Sequence, residues 1–218
     1  MAAADKALRE AANKLPEYKA ICTKVAQSAT KANYDDEIVV MSPLDDGEIT
    51  TVYKPQPGKF IGNVDLHFDA GRMLFTSHVD PGELTKVPNT HQAKGYGVFE
   101  LEIDPKTGHM LGKPHRVSPD MGWDVDNFDP CYLPDGRIIF ASTAAYDGVP
   151  CVGGKDHVAN LYIMNSDGTG VRRLTFDQDG NWHPTMMENG RVMYTRWEYT
   201  DSAHYYLSLI HISEPTRR

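Results

Sequence analysis

The chain has little cysteine, no concentrated positive charge and no long apolar run, and each shortage removes a class of protein. Cys22, Cys131 and Cys151 are the whole cysteine content, an odd, sparse set that forms neither a disulfide framework nor a CxxC pair. They leave the redox compartment open. Lys and Arg number 22 against 30 Asp and Glu, giving a net charge of −8 with no basic block along the sequence. Phosphate-backbone binding rests on concentrated positive charge, so nucleic acid is not an expected partner. No stretch approaches the roughly 18 apolar residues of a membrane span, so no membrane insertion is expected. The start, Met1-Ala2-Ala3-Ala4-Asp5-Lys6, lacks the basic end and apolar run of a signal peptide. No Ser/His/Asp or Cys/His constellation carries a recognisable local catalytic signature.

What is present is a foldable composition. The 218 residues are 40% apolar and 24% charged with both signs mixed, the balance of a folded domain rather than a disordered segment. That length can bury a substantial core.

Three textures divide the chain. Residues 1–33 are rich in Ala, Lys, Glu and Leu, with Leu8, Ala12 and Leu15 at helical spacing, and predict an α-helical segment that Pro16 begins or breaks. Residues 34–206 change to short β-branched and aromatic runs punctuated by Asp-Gly, Asn-Gly and Pro-Gly, the texture of hairpin-rich sheet. Residues 207–218 form a tail, in which Leu207–Arg217 resembles the in-frame translation of a transposase adapter used in sequencing libraries. Such scars are set apart from fold reasoning, and the pattern before them is expected to continue in a longer protein.

Within 34–206 one hairpin recurs at Asn63–Ser77, Asn127–Ser142 and Asn181–Arg196, with Gly71, Gly136 and Gly190 at the turns and Arg72, Arg137 and Arg191 directly after them. These glycines are expected to supply the positive φ of a tight turn. A second hairpin alternates with it at Glu37–Lys54, Val98–Val117 and Asn160–Phe176. Two alternating hairpins per unit make a four-stranded antiparallel blade. The predicted fold is therefore all-β, an incomplete β-propeller of about three of an expected six to eight blades, where closed rings take roughly four to eight. The Gly-, Pro- and His-rich stretches Ser77–Gly95 and Thr143–Ala159 read as surface insertions.

The runs Asp126–Phe140 and Asn160–Thr175 resemble Tol-system propeller blades. Together with Gly148–Val152 and Gly190–Asp201 they resemble the middle propeller domain of hydrazine synthase alpha-subunit-like proteins. The resemblance implies a propeller-bearing, exported protein, periplasmic or extracellular, in which Met1 would be an internal methionine. Members with haem chemistry carry a CxxCH attachment sequence. This chain has none, so no cofactor is carried over and hydrazine synthesis itself does not follow.

In a propeller the first strand of each blade lines the central channel. Aligning the three strands on Asn63, Asn127 and Asn181 places Asp65, Asp129 and His183 in one row and His67, Cys131 and Thr185 in the next. Three readings stay open: blade packing, a polar wall that takes a small ligand, and a metal site in which His67, Cys131 and His183 are the candidate ligands. Convergence of polar groups without a complete metal site is the expectation.

Other polar groups have simpler readings. Asp120, Asp124, Asp126 and Asp129 around Trp123 allow calcium but read first as loop caps. Asp177, Asp179, Asn181 and Glu188 imitate an EF-hand loop, yet Trp182 fills the slot that requires glycine. His78, His91, Lys155, Asp156 and His157 read as solvated loop residues. Trp182, Trp197, Tyr146 and Tyr199 read as blade filling before they read as a stacking platform.

The function expected is a binding or assembly scaffold whose ligand is a protein or a small molecule. The rival is an enzyme, an oxidoreductase or a metal-dependent one, with its site in the channel or in a C-terminal region outside this chain.

Overall fold

The computed structural model describes residues 34–42, 47–80, 95–149 and 157–197, together with the backbone of a strand at 207–212. The helical segment expected at 1–33 lies outside them. So do Cys22, His91, Cys151, Lys155, Asp156 and Tyr199.

The described residues form thirteen strands, and no helix occurs among them: β1 (Ile38–Ser42), β2 (Glu48–Tyr53), β3 (Ile61–Leu66), β4 (Arg72–His78), β5 (Tyr96–Glu102), β6 (His115–Arg116), β7 (Asn127–Tyr132), β8 (Ile138–Ser142), β9 (Asn160–Met164), β10 (Arg172–Arg173), β11 (Asn181–Met186), β12 (Val192–Trp197) and β13 (Leu207–Ile212). β3 to β6 pair in order as one four-stranded antiparallel sheet, and β7 to β10 as a second. β11 to β13 make a three-stranded sheet and β1 with β2 a two-stranded one. This is the expected sequence of propeller blades: half a blade, two whole ones and a further partial one.

The sheets stack face to face through three apolar clusters. Ile38 and Val52 of the β1–β2 hairpin pack on Met73, Phe75, Leu101 and Ile103 of the first whole blade. Leu74, Val98 and Val117 on its other face meet Tyr132, Ile138, Phe140, Tyr162 and Met164 of the second. Ile139, Ala141, Leu161 and Ile163 on the far face of that blade meet Val192 and Tyr194 of the third sheet. Alternate residues of one strand therefore serve opposite neighbours, as the period-two pleat requires. Each fully buried Leu, Ile or Phe here contributes about 1.5–3 kcal/mol of transfer free energy, so the two whole blades are each stabilised from both sides.

One local expectation is corrected. Gly136 and Gly190 do adopt positive φ, at 87° and 77°, but in the first blade the left-handed residue is Ala70, φ 56°. Residues 68–71 separate His67 from Arg72, whose carbonyl accepts its N–H, whereas only 134–136 separate Leu133 from Arg137 in the equivalent bond. That turn is one residue longer, and Gly71 takes the extra place. The tail set apart as adapter-like also joins the sheet: Leu207–Ile212 pairs along all of β12, from Val192↔Ile212 to Trp197↔Leu207. An open sheet edge presents a row of unpaired N–H and C=O groups, and an apolar run such as Leu-Ser-Leu-Ile-His-Ile can take them up regardless of origin.

Candidate functional site

The inner strands β3, β7 and β11 each break register once, between Gly62 and Asp65, between Phe128 and Cys131, and between Trp182 and Thr185. One extra residue on the inner strand makes each break a β-bulge. A non-glycine residue in the left-handed region sits in every one: Asn63 (φ 53°), Asp129 (φ 51°) and His183 (φ 52°). Asn, Asp and His are enriched among non-glycine residues with positive φ, so the backbone is the first reason for these residue types.

The register beyond the bulges, Leu66↔Met73, Tyr132↔Ile138 and Met186↔Val192, fixes which positions are equivalent. Asn63 matches Asp129 and His183, and Asp65 matches Cys131 and Thr185. The row read from the sequence, with Asp65 beside Asp129 and His67 beside Cys131, is displaced by two residues in the first blade. Asp65 therefore stands one layer off its expected place, and His67 falls beyond the strand in the turn. The longer turn after β3 hides the displacement, because Asn63 sits as far from its Gly-Arg pair, within one residue, as Asn127 does from its own.

Two of the expected residues, Asp129 and His183, do converge with Asn63. The Asn63 side-chain amide donates to Asp129 Oδ1. Asp129 Oδ2 accepts the His183 backbone N–H at 2.9 Å, and His183 Nε2 lies 3.6 Å from the same oxygen. The Asp129 N–H donates to Thr76 Oγ1 at 3.2 Å. One carboxylate thus ties three successive blades. One layer on, Asp65 Oδ2 accepts the Tyr132 N–H at 2.7 Å, and the equivalent Cys131 sulfur takes the Met186 backbone amide. The Asp129 and His183 N–H groups are freed by their bulges, those of Tyr132 and Met186 point off their ladders by the alternation of an antiparallel pair, and the preceding blade satisfies them.

Electrostatics follow from burial. Asp129, with a side chain only 6% exposed, is held above the usual carboxylate range by desolvation, which the His183 amide and ring partly offset. Desolvation raises Asp65 as well, against the lowering effect of the Tyr132 amide. The Cys131 thiol is pushed up to about 12, first by burial and then by the neighbouring Asp65 charge.

These strands enclose an open cavity of about 390 Å3 lined by Asn63, Asp65, Asp129, His183, Thr185 and Thr195, with Val64, Pro130, Pro184, Met193 and Tyr194 as its apolar part. His183 opens to solvent there, with a side chain 65% exposed, and Asn63 and Thr185 are exposed beside it. Asn63 and Thr195 were not singled out by sequence reading. The aligned Asp129-Pro130 and His183-Pro184 pairs were the usable signal, since they mark the bulge from which Asn63 can be found.

His67 does not join the cavity. It lies in the turn after β3, with Nδ1 2.7 Å from Asp69 Oδ1, Nε2 3.1 Å from Arg72 Nη2, and its ring edge-on to Tyr132 at 4.8 Å. Beneath it Tyr132 donates its hydroxyl to the buried Glu100 at 2.7 Å, with Arg72 and His115 within 3.9 Å of that carboxylate. Among the described residues no group of three or more His, Cys, Asp or Glu side chains is placed to hold a metal ion.

The remaining acids act on loops. Asp120 accepts from Gly122 N, Asp124 from the Tyr146 hydroxyl and Asp126 from Tyr96 N. Asp177 pairs with Arg196 at 2.8 Å and exchanges backbone bonds with the Asn160 side chain. Trp182 and Trp197 lie 6.3 Å apart, Tyr146 packs edge-on to His157, and His78 joins a ring cluster with Tyr34, Phe60 and Tyr96.

No protein-family profile and no curated protein sequence matches the chain. Among solved structures it is similar to TolB from Acinetobacter baumannii, at 17% identity and a TM-score of 0.49 over 81% of this chain and 35% of that one. It is similar also to α-L-arabinofuranosidase from Lactobacillus brevis, at 12% and 0.48 over 83% of this chain and 63% of that one. Hydrazine synthase from Kuenenia stuttgartiensis matches at 16% and 0.37 over 76% and 22%. The chain spans less than two thirds of each of these. Such likeness carries nothing about activity, and the propeller assignment rests on the sheet order and blade packing themselves.

Proposed function

We propose that the chain is a propeller binding module that takes its ligand in the cavity between β3, β7 and β11. One observation carries this reading: three successive bulges bring Asn63, Asp129 and His183 to one open space. Among the described residues the lining offers carboxylate, hydroxyl, amide and imidazole groups and no Lys or Arg. It therefore favours a donor-rich ligand, neutral or positively charged, presented by a small molecule or by a protein segment. An exported setting, supported by the blade resemblance, belongs to the same proposal.

The test is a nitrogen–proton NMR titration of the protein with a panel of small amides, amines and polyols. Binding should shift the backbone amides of 63–65, 129–131 and 183–185 together, and His183→Ala should weaken it. Shifts scattered elsewhere, or none at all, contradict the proposal.

The enzyme reading draws on one feature, a buried Asp129 carboxyl held above its ordinary range within 3.6 Å of an accessible imidazole. It requires turnover that His183→Ala abolishes; binding without turnover rejects it.

A further inference from the structure

The second blade buries a polar row at one end of its junction with the first. Asn127, Ser142 and Asn160 pair across β7, β8 and β9, and directly opposed residues of an antiparallel sheet share a face. Phe140 and Tyr162, two residues away on β8 and β9, belong to the cluster against the first blade, so the row faces that blade. All three residues are fully buried. Asn160 spends both atoms of its amide on the loop after β10: Oδ1 accepts the Asp177 N–H at 3.0 Å and the Thr175 hydroxyl at 3.3 Å, and Nδ2 donates to the Asp177 carbonyl at 3.3 Å. Asn127 has no such use. Among the described residues neither its Oδ1 nor its Nδ2 has a protein partner, and exchanging the two atoms repairs nothing, because both are idle.

The fold does not require an amide at this place. Ile61 holds the equivalent position in the first blade, paired with Ser77 as Asn127 is with Ser142. There Ser77 donates its hydroxyl to the Phe60 carbonyl at 2.7 Å, so the apolar residue leaves nothing unmet. Nor does the backbone need asparagine, since the left-handed residue of β7 is Asp129. In the second blade Ser142 Oγ accepts the Ala144 N–H at 3.2 Å, and among the described residues its hydroxyl proton has no acceptor. The Thr143 N–H bond to the Asp126 carbonyl makes Asn127 and Ser142 a non-hydrogen-bonded pair, the closer of the two antiparallel spacings, with side chains adjacent. One idle acceptor and two idle donor groups thus meet in one sealed spot. Native interiors pair such groups with protein or with ordered water.

We infer that Asn127 and Ser142 form an internal water site at the entry of β7. Water suits it because the idle groups are of both kinds: it donates to Asn127 Oδ1 and accepts from the Ser142 hydroxyl or Asn127 Nδ2. A cation would leave the two donors unanswered, and an anion would leave the amide oxygen so. The third sheet repeats part of the signal at the equivalent residue. Asn181 is also fully buried, its Oδ1 has no partner among the described residues, and its Nδ2 reaches only the carbonyl of neighbouring Gly180 at 2.9 Å. A second water belongs there. Each site stands two residues before a bulge residue, Asp129 or His183, so ordered water steadies the strand entries from which the cavity side chains are aimed.

The test is a pair of water-selective NOE and ROE measurements on the unaltered full chain labelled with nitrogen-15. The Asn127 side-chain amide protons should cross-relax with water at the sign of a molecule that tumbles with the protein. Those of Asn160, in the same row but bonded to the loop, should not. No cross-peak at Asn127, or equal cross-peaks at both residues, overturns the inference. Asn127→Leu, a substitution of similar shape, gives a second readout. At a hydrated site leucine discards the water's bonds and lowers the urea midpoint, which is the expected result. At a dry site it relieves an orphaned amide and raises the midpoint, which overturns the inference. If the variant does not fold, the cross-peaks of the unaltered chain decide.

Discussion

Leu66 and Tyr132 hold the same place on successive inner strands, and one is open to solvent while the other is sealed. Neither strand determines this by itself. Tyr132 is sealed because the first whole blade lies over it with Leu74, Val98 and Glu100, whereas the hairpin before β3 covers only the outer part of the equivalent face. Burial in this architecture belongs to the junction between blades. The middle blade, flanked on both sides, should therefore dominate stability, and residues at the ends of the series should contribute little.

The strongest challenge to that contrast is a pair of truncations. Phe140→Ala, at a fully buried junction position, should cost about 3–5 kcal/mol in urea unfolding, and Leu66→Ala within about 0.5 kcal/mol of nothing. Similar costs at the two sites would break the comparison.

Next in size is the carboxylate that ties three blades. Asp129→Ala strands the His183 N–H and the Asn63 amide, and should cost about 1–3 kcal/mol. Asp65→Ala, which orphans only Tyr132 N, should cost less. A larger effect at Asp65 would place the main tie in the wrong layer.

A smaller effect is the pH dependence. Burial raises Asp129 and Asp65 above their ordinary value of 3.8, so the folded protein holds their protons more tightly than the unfolded chain does. Their contribution to stability is then fully present below pH 3.8 and declines as pH rises through the folded-state values. Unfolding free energies measured from pH 4 to 7 should show this decline, and Asp129→Asn should flatten it. A slope unchanged by the substitution would remove the buried acid from the account.

The smallest effect concerns Cys131. Its thiol is buried and pushed up to about 12, so alkylation at pH 8, mapped by mass spectrometry, should reach it only on the timescale of unfolding. Prompt native-state labelling would mean that the junction over β7 opens locally.

The repeat was legible in the sequence because hairpin turns and strand alternation leave marks at fixed spacing. The two Asn-to-Arg hairpins at 127 and 181 aligned without error. The hairpin at 63 did not, since Ala70 takes the left-handed turn position and Gly71 adds a residue, a difference of backbone geometry that the shared Gly-Arg pair conceals. The site was legible only in part for the same reason. Asp129 and His183 were found, Asn63 was passed over for Asp65, and His67 was placed in the channel when the longer turn carries it toward Tyr132 and Arg72. The junction role of Asp129 depends on an N–H freed by a bulge one blade away, and no local pattern announces that.

The most direct test of the three-blade tie is a double-mutant cycle on Asn63 and Asp129, 66 residues apart in sequence. With Asn63→Ala, Asp129→Ala and both together, urea unfolding should give a coupling free energy of about 0.5–3 kcal/mol. Strict additivity would contradict the convergence of successive bulges on one carboxylate.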